Sequence, residues 1–359
     1  MIPSHTFWNG KTVCVTGGIG FVGFQIVKQL VAAGARVHSL ALRPADTHPI
    51  FALGSVEKHF GDVCDAQFVR EVLAGCDVIF HTAGIVALWG SGLSRVHKTH
   101  VTGTRNVLDA AAPQARIVHT SSVVTIGASH RRALTEDDTW NLRGLQVDYV
   151  QAKRAAEELA LAAAAQGRDV VVVNPAVLIG PEDYEGSIMG RFSLRFWKGR
   201  IPLAPSSGVN VVDVRDVAVG HLLAAERGQS GRRYILAGEN VSFINLIGLM
   251  ASVAGMRPRA IGRIPHWVEW FVAAGATLRA VVRQREPYPS FQHVRFNRLT
   301  WFYDWSRARD ELGFHPRPLL ESLRDMFDWY AARHSMRLRG VQRFWWQTES
   351  KACLSPRSG

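Results

Sequence analysis

Tyr149 and Lys153 stand four residues apart at the start of a segment with helical period, so one helix face carries both. An ammonium beside a phenol favours the phenolate and lowers its pKa. A phenol tuned in this way can give or take the proton of a carbinol while a hydride leaves or arrives. Ser122 lies upstream, in Thr120-Ser121-Ser122 after a strand, and adds a hydroxyl that can hydrogen-bond a substrate oxygen. Tyr and Lys at this spacing are common by chance. With the serine they become a candidate catalytic set for exchanging a secondary alcohol and a ketone.

Such chemistry needs a hydride carrier, and the chain has a place for one. Thr16-Gly17-Gly18-Ile19-Gly20-Phe21-Val22-Gly23 follows an apolar strand and opens a helix. Glycines there allow a tight turn and close backbone approach, so that amides and the helix dipole meet a pyrophosphate. Between a first strand and a first helix, the run reads as a dinucleotide-binding loop with Gly17, Gly20, Phe21, Val22 and Gly23 as members. The second strand ends Leu40-Ala41-Leu42-Arg43, with no acid before Asp46 to hold the ribose hydroxyls of NAD. Arg43 can pair instead with the 2′-phosphate of NADP, which favours NADP(H) over NAD(H), although an arginine at a strand end is also ordinary surface. Gly61-Asp62-Val63 follows the third strand and sets Asp62 to accept from the adenine amino group; the alternative is a plain turn aspartate.

These residues must be held by something regular. Apolar runs of strand length (Thr12 to Thr16, Arg36 to Leu42, Val56 to Phe60, Val78 to His81, Arg116 to Thr120, Val170 to Val173) alternate with helical segments (Phe21 to Ala33, Ala66 to Ala74, Gly103 to Ala112, Tyr149 to Ala164). That rhythm predicts an α/β fold with a Rossmann-type, doubly wound parallel sheet. Beyond Gly180, prolines break the pattern among Phe192, Phe196 and Trp197, and a sheet pattern returns near Val209 to Val214. We therefore expect a dinucleotide domain over 10–178 and 209–236, and a small discontinuous C-terminal substrate lobe over 179–208 and 237–335. A basic tail over 336–359 completes the chain.

A length of 359 residues and 47% hydrophobic content fit a large folded unit rather than disorder. No apolar run is long enough to span a bilayer and the N-terminus has no basic start, so a cytoplasmic protein is expected. The segment Trp267 to Val282 reads as a buried or lid helix, with a peripheral membrane contact as the sharper alternative. The net charge of +12 is concentrated in part in the tail, where Arg333, Arg337, Arg339 and Arg343 stand near Phe344, Trp345 and Trp346. A solvated terminus is the plainer reading of that tail, lipid contact the other. No nucleic-acid module surrounds it, so no nucleic-acid partner is expected. Four cysteines form no CxxC pair and read as reduced thiols. His97 and His100 lack a third ligand nearby, so no metal is expected.

In order along residues 10 to 330, the motifs resemble the extended short-chain dehydrogenase/reductase family. Besides those above, the likeness rests on His81-Thr82-Ala83-Gly84, Gly103-Thr104-Arg105-Asn106, Asn174-Pro175 through Gly180-Pro181, and Val214-Arg215-Asp216-Val217-Ala218. It implies that Ser122, Tyr149 and Lys153 are the catalytic triad, with Tyr149 and Lys153 also touching cofactor. It further implies that Asp62 and Val63 meet the adenine, that Ala83 and Gly84 line the cofactor, and that Pro175 and Val177 flank the nicotinamide. Many relatives dimerise through helices matching those near Gly103 and Tyr149, so a homodimer is an expectation. His100 departs from the family, which usually has asparagine there to steady the active-site backbone and proton relay.

Two branches of the family compete. Sugar-nucleotide epimerases and dehydratases typically carry an asparagine and an arginine for the diphosphate where this chain has Val177 and Val209. The Asn174-Pro175 and Gly180-Pro181 segment and Ala87-Leu88-Trp89-Gly90 look more like dihydroflavonol reductases and 3β-hydroxysteroid dehydrogenases. Phe192, Phe196, Trp197, Trp267, Trp270 and Phe271 would suit a hydrophobic small-molecule substrate. Against this, Tyr234 to Asn240 is similar to proteins described as hopanoid-associated sugar epimerases. The expected activity is an NAD(P)-dependent oxidoreductase on CH-OH groups; the alternatives are a nucleotide-sugar epimerase or dehydratase, and a non-catalytic dinucleotide sensor.

Overall fold

The computed structural model describes residues 4–43, 45–86, 92–129, 132–199, 203–204, 207–256, 262–263, 266–283 and 290–334. A one-turn helix α1 (His5–Trp8) precedes β1 (Thr12–Thr16), whose last four residues are all buried. Burial on both faces is what a Val/Ile-rich parallel strand between two helix layers requires. There follow α2 (Phe21–Ala32), β2 (Arg36–Ala41), β3 (Val56–Phe60), α3 (Ala66–Leu73) and β4 (Val78–His81). Asp65 starts α3 by accepting from the Gln67 and Phe68 amides, satisfying two of the donors a helix start leaves open. Helix α4 (Gly92–His97) runs through a π-type turn at Lys98–Thr102 into α5 (Gly103–Ala110), then β5 (Arg116–Thr120), α6 (Asp148–Ala165) and β6 (Val170–Pro175).

The later elements are β7 (Val177–Ile179), α7 (Ile188–Trp197), β8 (Leu203–Ala204), β9 (Gly208–Asp213), α8 (Val214–Arg227), β10 (Arg233–Leu236), β11 (Glu239–Ser242) and α9 (Phe243–Val253). They end with β12 (Gly262–Arg263), α10 (His266–Arg283), α11 (Phe291–Asn297) and α12 (Leu319–Arg333). Seven strands form one parallel sheet in the order β10-β6-β5-β4-β1-β2-β3. The chain winds outward in both directions from β1 and β4, so the ends of these two neighbours open the crevice where such sheets bind ligands. The expected Rossmann-type doubly wound sheet is present.

The strand expected near Val209 to Val214 does not rejoin that sheet. As β9 it lies in a separate three-stranded sheet, antiparallel to β11 and parallel to β7, and only β10 returns to the large one. All six residues of β9 are buried. An apolar run buried on both faces looks the same in either sheet, so its pattern cannot name its partner.

Of the aromatic residues expected to suit a hydrophobic substrate, Phe192 and Trp270 are half-buried, while three others lie in the core or at the surface. Phe196 and Trp197 are buried in the small lobe, where Trp197 stacks edge-on against Phe327 at 5.0 Å and donates to the Met250 carbonyl at 3.0 Å. Phe271 on α10 is 73% exposed and Leu278 is 70% exposed, so this helix turns large apolar side chains outward while Ala273 and Ala280 face inward, buried. Among the described residues no helix is long and apolar enough to cross a membrane. The side chain of Trp267, the Ala87 to Gly90 segment and the tail from 335 on lie outside the described residues. The segment near Thr300 lies back on the large domain, and the buried Tyr303 hydroxyl donates to the Gly127 carbonyl at 2.6 Å. This pins the loop that follows Ser122.

Candidate active site

The glycine loop after β1 fits a dinucleotide. Gly17 has φ +71°, and a Cβ there would sit 2.9 Å from the backbone of Ala83 at the end of neighbouring β4. A Cβ on Gly23 would lie 2.2 Å from the Gly17 carbonyl oxygen, so the first turn of α2 sits hard against the loop. Gly20 is the N-cap of α2 and supplies no side-chain cap, and the first turn holds no acid. Amides at a positive helix end without a protein anion suit a pyrophosphate. Phe21 and Val22 are half-buried in the same turn. We expect Gly17→Ala to cost about 1–2 kcal/mol for its left-handed backbone and, by displacing the loop, to weaken dinucleotide binding at least about tenfold. Thermal melting and fluorescence titration with NADPH would check both.

At the adenosine end, Arg43 lies just beyond β2, exposed, with its guanidinium over the rings of Phe51 and Phe60 and an ion pair to Asp46 at 2.8 Å. One Asp62 oxygen accepts from the Cys64 amide at 2.9 Å, a turn role. Val63 is buried and its carbonyl accepts from Asn106. Ala83 donates its amide to Thr16 Oγ1 at 3.3 Å, tying β4's end to the glycine loop.

The three chemistry-bearing side chains come from β5 and α6. Ser122 follows β5, and its carbonyl is held by Asn174 at 3.2 Å and lies 2.7 Å from the Thr125 hydroxyl. Tyr149 is the second residue of α6, and Lys153 sits one turn along. Burial holds the Tyr149 pKa above the ordinary value and outweighs the opposing influence of Ser122. The Lys153 ammonium is not among the causes of that shift. Lys153 Nζ instead donates to the Thr120 carbonyl at 2.7 Å, and burial lowers its pKa to about 8, with Glu157 pulling the other way. At neutral pH the tyrosine is therefore a protonated acid and the lysine a cation.

His100 occupies the π-type turn, buried, with Nε2 3.0 Å from the Ile85 carbonyl and its ring edge-on to Tyr149 at 5.8 Å. Gly84 lies against it: a Cβ there would be 2.5 Å from His100 Cε1. Burial and the Lys153 charge push His100 well below the usual histidine range, so it stays neutral. Pro175 ends β6 directly after Asn174, and half-buried Val177 begins β7. Val209 is buried in β9 opposite Val241, an apolar position.

Glu157 escaped the sequence reading. It is fully buried, accepts from Asn174 at 2.6 Å, lies 2.6 Å from the Thr125 hydroxyl, and pairs with Arg233 at 3.3 Å. The network thus links the Lys153 helix to the backbone of Ser122. Its one available signal was a glutamate a helical turn beyond Lys153, a spacing shared by countless surface pairs.

Comparison with known proteins follows the same lines. A family model described as the NAD dependent epimerase/dehydratase family matches residues 13–237, from β1 to the end of β10. The chain belongs to this family. Its relatives include a protein of Synechocystis sp. that provisionally bears the name dihydroflavonol 4-reductase, 33% identical over 332 residues, with 90% of this chain and 96% of that one covered. The sterol demethylase protein B of Methylococcus capsulatus is 30% identical over 326 residues, covering 90% and 99%. The crystal structure of gox2253 superposes with a TM-score of 0.78 at 29% identity, covering 92% of this chain and all of its own. The chain is thus a member of an NAD-dependent epimerase/dehydratase family with reductase-named relatives.

Proposed function

We propose that the protein interconverts a secondary alcohol and a ketone on a hydrophobic substrate, with NADP(H) as the hydride carrier. The observation that carries this reading is the placement of Tyr149 and Lys153 one turn apart on α6, with Lys153 Nζ fixed on the Thr120 carbonyl at 2.7 Å two residues before Ser122, and with burial keeping the proton on the phenol. When bound, the nicotinamide supplies or accepts the hydride. Ser122 orients the carbonyl oxygen, Tyr149 donates the proton to it in reduction and takes it back in oxidation, and Lys153 holds the ribose. The glycine loop from Gly17 to Gly23 cradles the pyrophosphate, with Pro175 and Val177 beside the nicotinamide and Ala83 and Gly84 along the cofactor. Asp62 and Val63 meet the adenine.

The apolar character of Val177 and Val209 supports a substrate without a diphosphate, as do relatives named for a dihydroflavonol and a sterol. Equilibrium binding of NADPH, NADH and UDP-sugars, followed by nicotinamide fluorescence and thermal shift, tests the reading. NADPH binding without a UDP-sugar response supports it; stabilisation by a UDP-sugar replaces it with epimerase or dehydratase chemistry.

Arg43 carries the preference for NADP(H). Loss of a charge-assisted bond to a phosphate costs about 1.5–3 kcal/mol. Arg43→Ala should therefore weaken NADPH roughly 10- to 100-fold and leave NADH nearly unchanged, as read by parallel titrations.

The pH profile follows from the lysine. Lys153 is protonated below its pKa of about 8 and neutral above it, whereas Tyr149, raised above its ordinary value, keeps its proton through this range. We expect kcat/KM for ketone reduction to be level below about pH 8 and to fall about tenfold per unit above it. A steady-state profile at saturating NADPH checks this.

A further inference from the structure

Three metal-ligating side chains meet on the opposite edge of the large sheet from the Tyr149 helix. His38 on β2 and Glu57 on the edge strand β3 are register partners, and His59 lies two residues beyond Glu57, on the same face. His38 Nδ1 and His59 Nε2 are 3.2 Å apart. Glu57 reaches His59 Nε2 at 3.3 Å with one oxygen and His38 Nε2 at 3.7 Å with the other. One ligand atom from each residue falls within a cluster no wider than 4.8 Å. Among the described residues, the side-chain hydrogen bonds and ion pairs of the three run only within the trio.

We propose that His38, Glu57 and His59 form a binding site for a divalent transition-metal ion of the zinc class. Two imidazole nitrogens and one carboxylate oxygen are the donor set that Zn²⁺ takes in three-ligand sites, with water completing the tetrahedron. Glu57 is 64% exposed and leaves the fourth position open to solvent, while the half-buried histidines are held by their strands. The close nitrogen–nitrogen contact of the two rings needs one ring nitrogen without a proton, the lone pair a metal would take. As a plain surface ion pair the trio would contribute little. As a metal site it cross-links β2 to the exposed edge β3, just before the ends that carry Arg43 and Asp62.

The test uses the tag-free, chelator-treated full chain and Zn²⁺ alone. Calorimetric titration should give one saturable equivalent, and the melting temperature should climb with the logarithm of free Zn²⁺. His59→Gln should weaken binding at least about tenfold. Glu57→Gln, at an exposed position where folding is not in question, should weaken it as well, and Cys64→Ser should leave it intact. Wild-type protein without saturable binding would overturn the proposal. Unchanged Zn²⁺ affinity in both His59→Gln and Glu57→Gln would do so too.

Discussion

Tyr149→Phe should lower kcat for ketone reduction by roughly 10²- to 10⁴-fold, the usual contribution of one positioned acid, while NADPH affinity and melting temperature stay near wild type. The substitution removes one buried hydroxyl and leaves the ring in its place beside His100. In free energy this is about 3–5 kcal/mol of transition-state stabilisation, larger than any single ground-state contact at the site. Full turnover by the variant would remove Tyr149 from the mechanism and with it the proposed proton path. Stopped-flow measurement of NADPH oxidation separates the chemical step from cofactor binding.

Glu157→Ala should be the most damaging substitution for stability. The carboxylate is fully buried and is shared by Asn174, Thr125, Arg233 and, at 3.7 Å, Arg154, so its removal takes a partner from two cations and two polar groups. Removing one member of a buried charged pair typically costs 3–5 kcal/mol; because Arg233 is partly exposed we expect about 3 kcal/mol, measured by urea unfolding. A second effect distinguishes this residue from a purely structural one. Glu157 is the group that holds the Lys153 pKa up against burial, so the alkaline fall in kcat/KM should move below about pH 8 in the variant. A destabilised protein with an unmoved pH profile would show that Glu157 does not act through Lys153.

Much of this was legible in the residues. The six strands from Thr12 to Val173 begin at the residues where the sequence places them; the inner ones, such as Val78–His81 and Val170–Pro175, are legible because a strand covered on both faces is apolar throughout. The turn at Gly17 was equally plain, since a chain that bends onto the end of β4 at positive φ leaves no room for a side chain. What stayed hidden depended on contacts between distant segments. Gly208–Asp213 looks like any buried strand until its partners Val177–Ile179 and Glu239–Ser242 are seen. The same holds for Phe196 and Trp197, whose hydrophobicity is equally suited to a core or to a substrate wall and which the fold assigns to the core. Phenol and lysine tuning also could not be read from spacing, because burial rather than mutual attraction sets both. The trio of His38, Glu57 and His59 is a product of strand register alone.

Hydride transfer itself is the measurement to make. Protein incubated with NADPH deuterated at the transferable position, and with a panel of hydrophobic ketones including sterol ketones, should consume one NADPH per carbonyl reduced and place the deuterium on the new carbinol carbon. No net NADPH oxidation with any ketone, together with turnover of a UDP-sugar at constant total NAD, would contradict the reductase reading.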